Sequence, residues 1–183
     1  AADETTFQIF KEGAYDRLYE HKFMPEPAGF LPCTPFGVIR LLERYGVNFR
    51  GKHVVMIGKS LAVGKPLSMM FLAKEATVTM CHKETRDIAS FIRQADIVCS
   101  ATGVHGLIKG DMIKEGAVVV DIGIKILEDG KIVGDVDFES AEKKASFITP
   151  VPGGVGPVTI AILLENTVKS AMRNEQMKSP FII

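Results

Sequence analysis

The sequence predicts an α/β protein built on a doubly wound parallel sheet with helices on both faces. Two observations predict this fold. Short β-branched runs alternate with amphipathic segments along the chain, which is typical of successive βαβ units. In addition, glycines follow the first, third and fourth predicted strands, at Gly58, Gly103 and Gly123. Glycines at these strand ends would let a ligand lie flat across the crevice at the carboxyl edge of the sheet.

Composition places the chain among ordinary globular proteins. Its 183 residues carry 22 Lys or Arg and 22 Asp or Glu, so the formal net charge is zero. A balanced charge argues against nucleic acid and against a polybasic membrane surface as partners. No apolar run reaches the roughly 18–20 residues that would span a bilayer, and the first residues predict no signal peptide. Three scattered cysteines without CxxC or metal-ligand spacing predict reduced thiols, a cytoplasmic location and no metal site.

The chain begins with a segment that differs from the rest. Residues 1–30 show no sustained periodicity and end in the linker-like sequence Pro25-Glu26-Pro27-Ala28-Gly29. A regular pattern starts at Leu31, so we expect residues 1–30 to be a linker or remnant of another domain and residues 31–183 to form one domain. Thr34 followed by Pro35 predicts a helix with Thr34 as its N-cap, ending at Gly46.

The remaining elements follow in alternation. Apolar β-branched runs predict strands at 53–58, 76–81, 96–101, 117–122, 131–134 and 146–149. Helical spacing predicts helices at 63–74, 85–94, 109–113, 138–144 and 157–173. The tail to Ile183 is expected to fray.

The turn after the first strand is a candidate phosphate site. Small residues there would let a pyrophosphate approach the backbone, and the following helix would offer free N–H groups. The spacing departs from GxGxxG, because Ser60 stands at the second glycine position and Gly64 comes one position late. A tight turn without a ligand is the open alternative. The candidate cofactor residues are Gly58, Lys59, Ser60, Val63, Gly64 and Pro66.

The end of the second strand normally distinguishes NAD from NADP. An acidic residue there binds ribose hydroxyls, whereas a basic residue receives the 2′-phosphate. Here the strand ends in Cys81-His82-Lys83-Glu84. Lys83 and Lys59 favour NADP, Glu84 leaves NAD possible, and solvated surface charges are the alternative. His82 and Lys83 join the candidate cofactor residues, with Ala101 and Gly103 at the end of the third strand.

The most specialised segment is Thr149-Pro-Val-Pro-Gly-Gly-Val-Gly-Pro157, followed by Val158 and Thr159. Three prolines and three glycines make a rigid loop that is poor in side chains and that leads into the last helix. Such a loop indicates a ligand-facing role rather than a simple connection.

Together these segments resemble the methylenetetrahydrofolate dehydrogenase/methenyltetrahydrofolate cyclohydrolase family. The resemblance covers about residues 31–168. It rests on Pro32-Cys-Thr-Pro35, Gly58-x-Ser-x-x-Val-Gly-x-Pro66, Cys81-His82, Asp121-Ile-Gly-Ile124, Gly134-Asp-Val136 and the loop at 149–157.

The resemblance implies a Rossmann-like NAD(P)-binding domain whose first and last helices link it to an N-terminal catalytic domain. It implies that Gly58, Lys59 and Ser60 form the cofactor turn and that Lys83 approaches the 2′-phosphate. It also places Ile124 and Thr159 near the cofactor. Pro152, Gly153 and Gly156 would form the wall of a cleft for tetrahydrofolate derivatives. The implied function is oxidation of 5,10-methylenetetrahydrofolate and hydrolysis to 10-formyltetrahydrofolate, in one-carbon metabolism and purine biosynthesis, by a homodimer.

The catalytic half of this family is not recognisable in the chain. The sequence contains no YxxxK motif, and the segment before Pro32 lacks the expected Asp-Gly. Lys59 stands where the family usually has arginine, and Lys125 where it usually has asparagine. We therefore name no catalytic residue, since structural roles are expected for His105, Asp121 and Asp135. We expect a cofactor-binding half that is inactive alone; the alternative is a non-catalytic nucleotide-binding module acting with a partner chain.

Overall fold

The computed structural model describes residues 29–178, with side chains described as far as residue 173. The predicted linker segment therefore lies almost entirely outside the described residues, as does the end of the tail. The helices are α1 (Cys33–Arg44), α2 (Gly64–Leu72), α3 (Ile88–Ile92), α4 (Phe138–Ala141) and α5 (Val155–Lys178), with a 3₁₀ turn at Gly110–Met112. The strands are β1 (His53–Ile57), β2 (Thr77–Cys81), β3 (Ile97–Ser100), β4 (Val118–Asp121), β5 (Lys125–Ile126), β6 (Ile132–Val133) and β7 (Phe147–Ile148).

Five strands form one parallel sheet in the order β2-β1-β3-β4-β7. The chain leaves β1 toward β2 on one side and returns to β3 on the other. This reversal is the topological switch point, where a crevice opens beyond the carboxyl ends of the strands. The sequence-based prediction of a doubly wound parallel sheet is thus confirmed.

Helices cover both faces because the central strands are apolar on both sides. Val54 and Met56 of β1 face one core, which also contains side chains of α1 and α2. Val55 and Ile57 face a second core, which also contains Ile92 at the end of α3. Burial on both sides explains why these strands read as continuous apolar runs rather than as alternating patterns.

A small antiparallel hairpin stands apart from the main sheet. Strands β5 and β6 pair with each other, with Lys125 opposite Val133 and Ile126 opposite Ile132. The sequence predicted the second of these strands, but not that it would pair with residues directly after Ile124. An apolar run of two residues carries too little pattern to show its partner.

Two predicted helix starts are wrong. Helix α1 begins at Cys33 and has no side-chain cap at its N-terminus, so Thr34 lies inside the first turn. The helix predicted from Thr85 begins at Ile88, with the Asp87 side chain accepting from the Ser90 N–H. Thr85 instead closes a turn with His82.

Helices α1 and α5 pack against each other along one side of the domain. Gly37 permits a close approach, since a Cβ there would lie 3.3 Å from the Cγ1 of Val158. The Thr159 hydroxyl lies 3.1 Å from the Oγ1 of Thr34 and 3.2 Å from the carbonyl oxygen of Val155. This helix pair frames the loop at 149–154, which leads into α5.

Candidate nucleotide-binding site

A cleft of about 720 Å³ opens at the carboxyl ends of β1, β2 and β3. It lies at the switch point of the sheet, and its volume is in the range of small-molecule and cofactor sites. Its lining residues are Ile57, Gly58, Lys59, Ser60, His82, Lys83, Thr85, Asp87, Ile88, Ala89, Ala101, Thr102, Val104 and Leu107.

The floor of the cleft has no room for a side chain at Gly58. Its φ is +109°, and a Cβ there would lie 2.5 Å from the carbonyl oxygen of Ala101. The Gly58 N–H donates to the carbonyl of Cys81 at 2.9 Å, which ties the turn after β1 to β2. The ends of three strands therefore meet at one glycine, with backbone exposed to the cleft.

Ser60 organises the rest of this turn. Its hydroxyl oxygen accepts from the Val63 N–H at 3.1 Å and from the Gly64 N–H at 3.4 Å. Gly64 is also sterically required, because a Cβ there would overlap the carbonyl oxygen of Gly58. Since the Ser60 oxygen acts as acceptor in both bonds, its own hydrogen is available to a ligand. The turn thus offers an anion a hydroxyl donor next to the Lys59 ammonium.

The turn after β2 forms a second wall of the cleft. The Thr85 N–H donates to the carbonyl of His82 at 2.8 Å, and the Thr85 hydroxyl accepts from the His82 N–H at 2.9 Å. Lys83 occupies the corner of this turn with 87% of its side chain exposed. Its ammonium lies 3.6 Å from the Glu84 carboxylate, which is a weak, solvent-screened pairing.

The turn after β3 is held from behind by Asp135. One oxygen of this fully buried carboxylate accepts from the Thr102 N–H at 2.7 Å and from the Thr102 hydroxyl at 2.8 Å. The same oxygen accepts from the Ser100 hydroxyl at 2.7 Å. The other oxygen has no hydrogen-bond partner among the described residues. Asp135 therefore positions the strand end that lines the cleft.

Asp121 at the end of β4 supports Asp135 in turn. Its carboxylate accepts from the N–H groups of Gly123, Asp135 and Val136 at 2.9–3.1 Å. Burial raises the pKa of Asp121, while these N–H donors act in the opposite direction and the nearby Asp135 adds to the rise. His105 is tied to the same segment through its Nδ1, 3.0 Å from the carbonyl oxygen of Gly134. All three residues thus make structural hydrogen bonds.

The structure gathers six of the candidate cofactor residues around one cleft: Gly58, Lys59, Ser60, His82, Lys83 and Ala101. Val63, Gly64 and Pro66 lie behind the cleft at the start of α2, where Gly64 and Pro66 are buried. Gly103 is exposed at the rim with φ +74°. Ile124 is 62% exposed at the base of the hairpin, and Thr159 lies in the contact between α1 and α5. Neither residue lines the cleft.

The candidate folate residues occupy a separate place. Pro152 and Gly153 are exposed in the loop before α5, and Gly156 is exposed in its first turn. Gly153 has φ +100°, a conformation that favours glycine. Together they present a surface poor in side chains at the end of the α1–α5 pair.

Sequence reasoning missed much of the apolar and polar lining. Ile57, Ile88, Ala89, Val104 and Leu107 lie in or beside predicted elements, but nothing in their pattern distinguishes a cleft wall from a core face. The polar lining residues missed were Thr85, Asp87 and Thr102. Thr102 directly follows the predicted strand 96–101, which was an available signal because parallel strand ends share one edge. Thr85 and Asp87 fell inside the predicted helix 85–94, so no such signal marked them. Among residues 29–178 no cluster of His, Cys, Asp or Glu is arranged to hold a metal ion.

Fold and cleft together define a nucleotide-binding domain of the doubly wound class. None of the helices between residues 29 and 178 is a candidate for a membrane span.

Residues 32–175 match the family model described as the tetrahydrofolate dehydrogenase/cyclohydrolase NAD(P)-binding domain, and the chain belongs to this family. Among curated relatives, the bifunctional protein FolD of Campylobacter jejuni is 58% identical over 144 residues. FolD of Moorella thermoacetica is 60% identical over 144 residues. Each alignment covers 79% of this chain and 51% of the relative. The chain thus spans about half the length of the curated relatives that it matches.

Solved structures agree with this assignment. The crystal structure of the Campylobacter jejuni FolD enzyme superposes with a TM-score of 0.84 at 51% identity, covering 94% of this chain and 58% of that one. The Trypanosoma brucei FolD enzyme, crystallised with NADP cofactor and an inhibitor, gives 0.82 at 39% identity. That superposition covers 94% of this chain and 59% of the other. The family resemblance recognised from the motifs is therefore confirmed.

Proposed function

We propose that this chain is the cofactor-binding half of a bifunctional methylenetetrahydrofolate dehydrogenase/cyclohydrolase and that it binds NADP in the cleft at the switch point. The observation that carries the proposal is the glycine turn at Gly58, whose backbone faces a cleft that two lysines also line. NADP⁺ held in this cleft would supply the hydride acceptor for oxidation of 5,10-methylenetetrahydrofolate. The methenyl product is then hydrolysed to 10-formyltetrahydrofolate.

The chain's own residues fit the two anionic groups of such a cofactor, its pyrophosphate and its 2′-phosphate. The backbone at Gly58, the Ser60 hydroxyl and Lys59 would hold the pyrophosphate, since small residues and free donors suit an anion there. Lys83 would receive the 2′-phosphate from the turn after β2. This charge favours NADP, whereas Glu84 beside it keeps NAD as the alternative cofactor.

The remaining candidate sites are proposed by family membership. Val63, Gly64 and Pro66 would act indirectly by shaping the turn, and His82, Ala101 and Gly103 would border the cofactor. Ile124 and Thr159 would lie toward the reacting end. Pro152, Gly153 and Gly156 would contact the folate.

The catalytic step depends on groups outside the described residues. The cyclohydrolase reaction needs a proton-transfer group, and none of the lining side chains is assigned that role. Hydride transfer needs two rings held in contact with water excluded. We therefore expect the chain alone to bind dinucleotide without converting folate.

An exposed apolar stripe along α5 is evidence for the proposal that a second half of the protein packs against this domain. Five large apolar side chains on this helix are 54–61% exposed: Ile160, Leu163, Leu164, Val168 and Met172. A continuous apolar patch of this kind marks an interaction surface. The rest of a longer polypeptide would cover it in the enzyme, and a separate partner chain would cover it in the alternative function, a non-catalytic nucleotide-binding module.

We further propose that the protein is cytoplasmic, acts in one-carbon metabolism that serves purine biosynthesis, and forms a homodimer.

The hairpin region carries the apolar surface that supports the homodimer. Three isoleucines there are 40–67% exposed: Ile124, Ile126 and Ile132. The balanced charge supports a small-molecule partner rather than nucleic acid. Sedimentation of the wild type and of Ile126→Glu tests the dimer, which the variant should dissociate.

Calorimetric titration of the chain with NADP⁺ and NAD⁺ tests the proposed function. The wild type should bind NADP⁺ more tightly, and Lys83→Ala should remove most of that preference. Lys143→Ala is the matched control, because this exposed lysine lies outside the cleft. Failure to bind either dinucleotide would overturn the proposal, and turnover of methylenetetrahydrofolate by the chain alone would contradict the half-enzyme interpretation.

A further inference from the structure

We propose that Thr85 is a positioning residue for dinucleotide selectivity: it fixes the corner at which Lys83 presents its ammonium to the 2′-phosphate. This inference rests on the proposed binding of NADP in the cleft. It concerns a residue that lines the cleft but that neither the motifs nor the resemblance singled out.

The turn is closed twice between the same two residues. The main-chain N–H of Thr85 donates to the carbonyl of His82 at 2.8 Å. In the opposite direction, the His82 N–H donates to the Thr85 hydroxyl oxygen at 2.9 Å. Lys83 and Glu84 are the central residues between these two bonds. The main-chain bond alone would close a turn, but the side-chain bond also fixes the peptide that enters it.

Because β2 is an edge strand, the His82 N–H just beyond its end depends on the Thr85 hydroxyl for a hydrogen-bond partner. Strand β2 lies at the edge of the sheet, with β1 as its neighbour. At the end of β2, the carbonyl of Cys81 accepts a hydrogen bond from the Gly58 N–H, which follows β1. His82 is half-buried, and the Thr85 hydroxyl is the acceptor that the structure gives its N–H. Without that hydroxyl, a half-buried donor at the start of the turn would be left to water, and the turn could adopt other conformations.

His82 stabilises the other side of the corner. The Glu84 N–H donates to the Nδ1 of His82 at 3.3 Å. The main-chain N–H that enters the turn, at His82, is thus tied to the Thr85 side chain, and the N–H of Glu84 within the turn is tied to the His82 side chain. Lys83 has no comparable restraint on its own side chain, which is 87% exposed. Its reach toward a ligand is consequently set by the backbone of this turn.

Thr85 is expected to act through Lys83 rather than on the cofactor directly. Removing its hydroxyl should weaken binding of NADP⁺, which carries the 2′-phosphate, more than binding of NAD⁺, which lacks it. A loss of roughly five- to tenfold in NADP⁺ affinity is the scale of a misaligned charge-assisted contact. In a chain that already lacks the Lys83 ammonium, the same change should have no selective effect.

A double-mutant cycle on the full 183-residue chain tests this inference, with calorimetric Kd values for NADP⁺ and NAD⁺. Thr85→Val should lower the preference for NADP⁺ over NAD⁺. Thr85→Ser, which keeps the hydroxyl, should retain the wild-type preference. In the Lys83→Ala background, adding Thr85→Val should leave the remaining preference unchanged. Equal losses for both dinucleotides in Thr85→Val would overturn the positioning role, as would a selective loss that persists without Lys83. Either result would leave the proposed function standing if the wild type binds NADP⁺. If the wild type binds neither dinucleotide, both proposals fail.

Discussion

The Asp121 carboxylate accepts the main-chain N–H of Asp135 at 3.0 Å, so two buried acidic residues lie side by side beneath the cleft. Asp121 is 3% exposed and Asp135 is fully buried. Each carboxylate accepts several donors, which offsets the cost of burying charge. Through this pair, the end of β4 holds the segment after β6, and that segment holds the end of β3 at Thr102. The cleft wall is thus stabilised by side chains that do not line it.

The first prediction concerns the glycines packed against these carboxylates. A Cβ at Gly134 would overlap the Asp121 carboxylate, and the buried pair has no room to move aside. Gly134→Ala should therefore lower the free energy of unfolding by about 1–3 kcal/mol or more. Gly156→Ala is the control, because nothing lies within 4 Å of its added Cβ and its φ is not positive. Urea unfolding measures both; a stable Gly134→Ala protein would contradict the packing argument.

The second prediction separates backbone strain from loss of binding. Gly58 and Gly51 both have positive φ, +109° and +70°, but a Cβ meets protein atoms at Gly58 and none within 4 Å at Gly51. Gly51→Ala should cost about 1 kcal/mol of stability through strain alone and should leave the Kd for NADP⁺ unchanged. Gly58→Ala should abolish measurable binding. Comparable NADP⁺ affinity in the two variants would show that the Gly58 turn does not contact the cofactor.

The third prediction follows from the two N–H groups that the Ser60 oxygen accepts. Ser60→Ala should destabilise the start of α2 by about 1 kcal/mol, the usual cost of losing such a side-chain acceptor. It should also weaken NADP⁺ and NAD⁺ binding by the same factor, because the pyrophosphate is common to both. Ser60→Thr keeps the hydroxyl and serves as the control. Thermal unfolding and calorimetry give the two quantities; a change in cofactor preference would place Ser60 elsewhere on the ligand.

The fourth prediction is a pH dependence at the opposite edge of the sheet. The Lys114 ammonium lies 2.7 Å from Oδ1 of Asp96, and the main-chain N–H of His53 donates to Oδ2 of Asp96 at 2.9 Å. The side-chain bond from Lys114, followed by the bond from His53, lowers the pKa of Asp96 below its ordinary value of 3.8.

A folded-state pKa that is lowered contributes stability above pH 3.8, and this stability is lost as pH falls through the folded-state value. Asp96→Asn should therefore be less stable than the wild type by about 1 kcal/mol at pH 7. The difference should shrink toward zero in acid below the folded pKa. Thermal unfolding from pH 7 to pH 2.5 checks this; a difference independent of pH would assign the loss to packing. Lys143→Ala, on an exposed lysine, provides the control for removing a charge.

Much of this architecture could be predicted from local sequence. The runs at 53–57 and 97–100 are rich in β-branched and apolar residues on both faces. They therefore predict buried parallel strands even when the strands that pair with them are not known. The glycine after β1 was equally readable, because only a residue without a Cβ fits such a turn. Short strands such as β5, and the true start of α3, were not readable. Two residues carry no periodicity, and a threonine that closes a turn looks the same in sequence as one that caps a helix.

Residue types and their spacing were enough to predict the family, the five strands of the parallel sheet with the helices between them, and six of the residues that line the cleft. Each of these depends on residue type and spacing along the chain, which are local properties. Three further features became known from the folded protein: Asp135 supports Thr102, Thr85 closes the turn that bears Lys83, and Ile124 and Thr159 lie away from the cleft. Those relationships join segments that are distant in sequence or depend on which atom donates to which. They exist only once the sheet has brought the carboxyl ends of its strands to one edge.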